Sequence, residues 1–201
     1  MRHGWFGTFT GVAVLSVCAL PLAALTVWFL ARRRSFAPWR TSLADVGIVY
    51  GTVPWVWLTL LPGSRAGQVT GRVSLVPLRD LATMPVSQIV GNLLVFAALG
   101  FFVPLRFAAS VPRVLVLAAS CSVLVETAQY VLRLDRVSSV DDVLLNTAGA
   151  GLAALVSLEL FAARGLRPVG PQTPAVRPVT RGTSPPPRSG AGRSPGPARR
   201  R

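Results

Sequence analysis

Long runs of apolar residues, separated by short polar segments, make up most of the chain. Five of these runs approach or reach the length of about 20 residues that an α-helix needs to cross a membrane. They cover residues 9–30, 46–61, 88–105, 114–132 and 141–163. The pattern predicts an all-α, polytopic membrane protein with about five transmembrane helices. In a four-span alternative, the second run, which is short and contains Pro54, lies in the membrane interface.

A connector, residues 62–87, joins the second and third runs and contains glycine, proline and three arginines. Within it, residues 73–78 form an apolar patch that is too short to cross a membrane. We expect this patch either to lie in the membrane interface or to enter the membrane as a re-entrant segment.

The composition changes abruptly after the fifth run. Residues 166–201 hold nine prolines and eight arginines, with no acidic and no aromatic residue. Such a segment buries too little apolar surface to offset the entropy lost on ordering, so we expect it to be disordered. The chain is therefore divided into an N-terminal transmembrane helix with an arginine-rich loop (1–44), a membrane domain (45–165) and a disordered tail (166–201).

Composition agrees with a membrane protein, since 51% of the residues are hydrophobic. The net charge is +14, and arginine supplies all of the positive charge because the chain has no lysine. Cys18 and Cys121 lie far apart in apolar runs, so we expect no disulfide. With His3 as the one histidine and no CxxC motif, we expect no metal and no other cofactor. No segment resembles a module that reads nucleic acid, so none is expected as a partner.

The distribution of arginine predicts the orientation in the cell membrane. If the N-terminus is outside, the cytoplasmic segments hold 15 arginines and the external segments hold 6. Because short cytoplasmic segments are enriched in positive charge, we expect the N-terminus outside and the C-terminus inside.

Polar residues interrupt the last two runs where they would lie within the membrane or at its edge. Only seven residues are acidic, and four of them fall between 126 and 142. Ionisable groups at such positions are costly and mark a functional site by default. Because 133–140 is a tight turn, the two runs pack as antiparallel neighbours and their polar faces meet. We predict a ligand-binding polar cluster, with no catalytic residue, formed by Asn92, Glu126, Gln129, Arg136, Asp141, Asp142 and Asn146.

Helical spacing places Gln129, Tyr130 and Arg133 on the same face as Glu126. Two structural alternatives stay open for the cluster. Its side chains could hold neighbouring helices together by hydrogen bonds. Asp141 and Asp142 could instead cap the start of the fifth helix. The capping alternative does not extend to Glu126, which lies about 9 Å from the end of its helix.

Three blocks of sequence carry a resemblance to a known family. They are VSLVPL at 73–78, GNLLVFAALGF at 91–101, and ETAQ at 126–129 followed by Arg136 and by DDVLLNTAGA at 141–150. Over about 45–161 the chain resembles the VanZ-like family of small membrane proteins, named for the teicoplanin-resistance protein. In the second block, Ala98 stands where the family commonly has proline.

The resemblance implies a cell-membrane protein of a type associated with tolerance to lipoglycopeptide antibiotics. We expect an integral, non-enzymatic protein of the cell envelope, surrounded by membrane lipid. Its outward polar cluster would bind, or modulate access to, a cell-wall precursor, a lipid headgroup or a glycopeptide antibiotic. The alternative is an intramembrane enzyme acting on a lipid-linked substrate, with Glu126 as general base. Small residues in the fifth run also allow a homo-oligomer.

Overall fold

Six helices and two short strands make up the part of the chain that the computed structural model describes, residues 8–164. In order they are α1 (Phe9–Arg33), α2 (Pro38–Thr59), β1 (Arg72–Ser74), α3 (Val86–Val95), α4 (Ala97–Phe107), α5 (Val111–Val131), β2 (Val137–Ser139) and α6 (Val140–Ala163). The predicted disordered tail, 166–201, lies outside the described residues.

Four helical segments are long and apolar enough to cross a membrane: Phe9–Arg33, Val86–Phe107, Val111–Val131 and Val140–Ala163. By length and composition this corrects the expected five spans to four, the number in the alternative, but α2 packs lengthwise between α1 and α4 and not across one end of the helices, as that alternative expected. The second run forms α2, which is long enough but too polar to qualify by composition. Large apolar side chains such as Leu22 and Leu124 are mostly exposed. Such an apolar exterior is expected of helices that face lipid.

The helices pack around α6, which contacts α3, α4 and α5, while α2 lies between α4 and α1. The buried apolar core lies among α3, α4, α5 and α6, and Val95, Phe96, Val114, Ala118 and Ala150 are almost inaccessible. By contrast, α1 is largely exposed and packs mainly on α2. The region that positions the polar residues is therefore the α3–α6 bundle.

Contacts at both ends show that α2 runs the length of this bundle. Near its start, Asp45 accepts a hydrogen bond from Arg106 in the last turn of α4. At its last residue, the carbonyl of Thr59 accepts one from Gln129 in the last turn of α5. We call the first end, where α1 ends and α2 begins, the arginine end. The opposite end, where α5 ends and α6 begins, is the site end.

The third run is not one continuous helix. Residue Phe96, with φ −114° and ψ 15°, separates α3 from α4. The run also extends past its predicted end at residue 105, because α4 continues to Phe107 with Pro104 inside the helix. The interruption lies one turn after Asn92, so that Gln88 and Asn92 both belong to α3.

Glycine allows close backbone packing at two points along α6. A Cβ atom on Gly149 would overlap the carbonyl group of Leu93 in α3, and one on Gly100 of α4 would overlap the carbonyl of Ala150. Small residues let helices approach in this way within a membrane. Gly149 and Ala150, two of the small residues that suggested a homo-oligomer, thus make close contacts within the chain, and the homo-oligomer itself stays a prediction.

The connector reaches the bundle through a two-stranded parallel sheet. In this sheet β1 pairs with β2, and Val73 lies opposite Ser138. The apolar patch thus begins as a strand, and its remaining members Leu75, Val76 and Leu78 are exposed at the site end. The strand pairing brings the connector beside the start of α6, where the acidic residues lie.

Candidate functional site

Ser139 organises the start of α6. Its side chain accepts a hydrogen bond from the backbone N–H of Asp141 at 3.1 Å and so caps the helix. Its own backbone N–H donates to Oε2 of Glu126, also at 3.1 Å. The Glu126 side chain, only 8% exposed, therefore points from α5 towards the start of α6 and away from lipid.

Asp141 holds the connector in place. Its carboxylate accepts hydrogen bonds from the backbone N–H groups of Leu78, Asp80 and Leu81. Leu78 has φ 64°, a left-handed conformation that costs free energy for a residue with a branched side chain and persists only where its surroundings enforce it. Because the buried carboxylate of Asp141 is occupied by these three donors, its role is structural.

Asp142 connects α6 to α3. Its carboxylate accepts a hydrogen bond from the Asn92 side chain and another from Gln88, one turn earlier in the same helix. It also lies within electrostatic range of Glu126, whose carboxylate comes from α5. Three neighbouring helices thus contribute to one polar cluster at the site end.

The carboxylates of this cluster have no close cationic partner. Ion pairs within 4 Å in residues 8–164 join Asp45 to Arg34 and Arg106, and Asp135 to Arg65. None involves Glu126 or either of the two aspartates at the start of α6. A pair of neighbouring carboxylates without an ion pair is costly near a membrane and favours a site for a cationic group.

Arg136 is the basic residue that interacts electrostatically with Glu126 of the cluster. It is exposed, and its Nε donates to the carbonyl of Leu61 at 3.3 Å. It lies within electrostatic range of Glu126 but does not form an ion pair with it. The remaining donors of its guanidinium can therefore contact an anionic group outside the bundle.

Two predicted residues act elsewhere. Gln129 donates from Nε2 to the carbonyl of Thr59 at 3.1 Å and joins α5 to α2. Asn146 lies one turn deeper than Asp142 and donates from Nδ2 to Ser122 Oγ at 2.7 Å, while its Oδ1 is buried without a partner. The structure brings both residues to the helix interfaces, where each acts as an interhelical contact.

The prediction that Gln129, Tyr130 and Arg133 share one face of α5 with Glu126 is only partly correct. Tyr130 is 47% exposed, so it leaves the buried face that holds Glu126 and Gln129. Arg133 lies beyond the helix, which ends at Val131, and has φ 50°. The positive φ turns the chain sharply, and this removes Arg133 from the helical spacing on which the prediction depended.

Asp80 was missed by the sequence reasoning. It accepts a hydrogen bond from Ser139 Oγ at 2.9 Å, and hydrogen bonds from Ser74 and Ser139 hold the pKa of its carboxyl below the usual range. It is the one acidic residue of the connector, and this was the signal available in the sequence. The strand pairing that brings it to α6 has no comparable signal.

Nothing in the described part of the chain groups three or more histidine, cysteine or acidic side chains closely enough to hold a metal ion. The cluster offers hydrogen bonding and charge through the carboxylates of Glu126 and Asp142, the amides of Asn92 and Gln88 that contact Asp142, and the exposed guanidinium of Arg136.

Comparisons with known proteins identify the membrane domain. No curated protein and no solved structure gives a significant match. The profile of the VanZ/LLP1 family matches residues 48–162, which include α3 to α6, both strands and all the residues of the polar cluster. Because this match covers more than half of the chain, the protein belongs to the VanZ/LLP1 family.

Proposed function

We propose that this protein is a non-enzymatic membrane protein of the cell envelope that binds the charged part of a cell-wall precursor at its polar cluster. The cluster comprises Asn92, Glu126, Arg136 and Asp142. The observation that carries the proposal is the meeting of two carboxylates from α5 and α6 without an ion pair, beside an exposed arginine. A lipid headgroup or a glycopeptide antibiotic that binds here would also need groups that complement the two carboxylates and the arginine.

The arrangement suits a ligand that carries both an amino group and an anionic group. An ammonium group would compensate Glu126 and Asp142, and a carboxylate or phosphate would accept the free donors of Arg136. A lipid-linked cell-wall precursor has such groups close to the membrane surface. Binding there would change how accessible the precursor is to other molecules, including lipoglycopeptides.

The orientation with the N-terminus outside supports this ligand. Arginines are more numerous at the arginine end, which holds Arg32, Arg33, Arg34, Arg40, Arg106, Arg113 and Arg164, than at the site end, which holds five. The positive-inside rule then assigns the arginine end to the cytoplasm. The polar cluster consequently faces the outside, where cell-wall precursors are polymerised.

The test is lipoglycopeptide tolerance in a deletion strain that expresses the wild type, Glu126→Gln, Asp142→Asn or a control. Glu159→Gln is the matched control, since Glu159 is exposed on α6 near the arginine end and loses the same charge. We expect the wild type to change the teicoplanin tolerance of the deletion strain. Both cluster variants should fail to produce this change, and the control should produce it, at equal amounts of inserted protein.

Binding is measured on the same variants with a labelled lipid-linked precursor in vesicles. Wild-type protein should bind it, while Glu126→Gln and Asp142→Asn should bind at least about 10-fold more weakly, as expected when a charge-assisted contact is lost. Equal binding by all four proteins would refute the proposed site. Turnover of the lipid by purified wild type, abolished in Glu126→Gln, would refute the non-enzymatic function and establish the alternative.

A further inference from the structure

A second feature lies outside the polar cluster, between α1 and α2. The two helices enclose an open groove of about 760 Å³. The α1 residues that line it extend from Val12 to Leu30, which corresponds to about 27 Å along the helix. This length exceeds half of a hydrocarbon core about 30 Å thick, so the groove can hold a complete acyl chain of one leaflet.

The groove is apolar although three hydroxyl groups line it. Ser16 and Thr26 donate to carbonyls of the preceding turn of α1, and the Tyr50 hydroxyl donates to the carbonyl of Ser16. Because each hydroxyl is satisfied within the protein, none requires water in the groove. An apolar chain can therefore occupy it without leaving a donor unpaired.

A cluster of charges lies where the groove reaches the arginine end. Asp45 lines the groove and pairs with Arg34 and Arg106, each at 2.6 Å. Two guanidinium groups thus share one carboxylate, which leaves a net positive charge. Nη1 of Arg34 is buried and has no hydrogen-bond acceptor among the described residues, whereas the Arg34 side chain as a whole is 29% exposed. A phosphate beside the exposed part of this guanidinium would accept hydrogen bonds from it and balance the charge.

Aromatic residues show that this cluster lies at the level of the lipid headgroups. Arg32 stacks on Trp28 at 3.9 Å from the ring centroid, and Arg33 stacks on Phe29 at 4.4 Å. Both rings are about half exposed. Tryptophan and arginine at the end of a spanning helix are typical of the boundary between hydrocarbon and headgroups.

We propose that the α1–α2 groove is a binding site for an anionic phospholipid of the leaflet at the arginine end. Its acyl chain lies in the groove, and its phosphate contacts Arg34 beside Asp45 and Arg106. Charge complementarity selects an anionic over a zwitterionic lipid. The site is independent of the proposed precursor site, from which it is separated by the length of α2.

Native mass spectrometry of the full-length protein tests the proposal, with phosphatidylglycerol and phosphatidylcholine of identical acyl chains as probes. Wild type should retain phosphatidylglycerol preferentially. Arg34→Gln should weaken that binding about fivefold, the factor that corresponds to about 1 kcal/mol per basic residue near an anionic surface. Arg113→Gln is the matched control, since Arg113 is exposed at the same end but, unlike Arg34, does not pair with Asp45, which lines the groove.

A second pair of variants tests the groove without changing charge. Ala23 lines the groove and Ala24 is exposed beside it on α1, so Ala23→Phe should reduce binding of phosphatidylglycerol while Ala24→Phe should not. Equal binding by Arg34→Gln and Arg113→Gln would overturn the phosphate contact. Wild-type binding by Ala23→Phe, in protein that elutes as the wild type does in size-exclusion chromatography, would overturn the acyl site.

Discussion

Replacement of Asp141 by alanine provides the most direct test of how the site end is built. The substitution removes the acceptor of three backbone N–H groups, those of Leu78, Asp80 and Leu81. Hydrogen bonds to a charged group contribute about 1.5–3 kcal/mol each. Because water reaches the freed amides at this end of the bundle, the lower value applies, and three such bonds give an expected loss of about 4.5 kcal/mol. Release of the left-handed conformation at Leu78 favours opening further.

Limited trypsin digestion in detergent measures this opening, since Arg79 lies within the segment that Asp141 holds. A loss of about 4.5 kcal/mol raises the population of the open connector by about 2,000-fold. Cleavage follows that population when the connector opens and closes faster than trypsin cuts. We therefore expect Asp141→Ala to be cut after Arg79 far faster than the wild type, as measured by mass spectrometry of the fragments.

Asp142→Ala is the matched control for this experiment. It removes a carboxylate from the adjacent residue, but that carboxylate bonds the side chains of Asn92 and Gln88 and not the connector backbone. Cleavage after Arg79 should therefore stay within about threefold of the wild-type rate. If Asp141→Ala is cut no faster than Asp142→Ala, the three hydrogen bonds do not hold the connector and the structural role of Asp141 is wrong.

Three further predictions concern packing, a buried amide and pH. Gly149→Ala forces α6 away from α3 and should lower the free energy of unfolding in detergent by about 3 kcal/mol. Gly91→Ala places its methyl group where no atom lies within 4 Å, so it should raise the free energy of unfolding by about 0.5–1 kcal/mol. Ser122→Ala leaves the buried amide of Asn146 without its partner and should cost about 1 kcal/mol, most of which a second substitution, Asn146→Leu, should restore. Asp80 has a lowered pKa, so its stabilisation is complete above the ordinary carboxyl pKa and disappears as the pH falls through the lower folded value. The thermal destabilisation caused by Asp80→Asn should thus be constant at neutral pH and shrink below about pH 4, and a difference independent of pH would contradict it.

The helices could be predicted because their signal is local. A run of apolar residues must satisfy its backbone within one helix wherever lipid surrounds it, so hydropathy alone located α1, α5 and α6 to within a few residues. The same signal gave five spans where four qualify, because α2 combines spanning length with a polar composition. Its true environment is set by packing against α1 and α4, which no local pattern reports.

The break at Phe96 has no obvious local signal, since it is flanked by Val95 and Ala97. A clue lies in the family block, where proline is common at the position of Ala98. That residue is the second of α4, and proline is tolerated in the first turn of a helix. Its Cβ also contacts the place where a side chain on Gly51 of α2 would lie, so this short residue serves close packing.

The candidate site was predictable where it depends on the tight turn between α5 and α6. That turn forces Glu126 towards the start of α6, as expected from chain geometry. The contribution of the connector was not predictable, because Asp80 and Asp141 are 61 positions apart and meet through a strand pairing of only three residues. Residue type alone did not show which acidic side chains are occupied by backbone donors.

The polar residues that resemble the family's motif therefore fall into two groups, according to whether their side chains bind backbone groups of the connector and of α2. Asp141 and Gln129 are occupied by backbone groups of the connector and of α2, so their substitution changes the fold at the site end. Glu126 accepts a hydrogen bond from Ser139, and Asp142 accepts hydrogen bonds from Asn92 and Gln88 of α3; neither carboxylate has an ion-pair partner within 4 Å among residues 8–164. Because two adjacent aspartates thus have different roles, loss of tolerance in Asp141→Ala would report misfolding of the connector. Loss of tolerance in Asp142→Asn, with the connector still resistant to trypsin, would report a lost ligand contact.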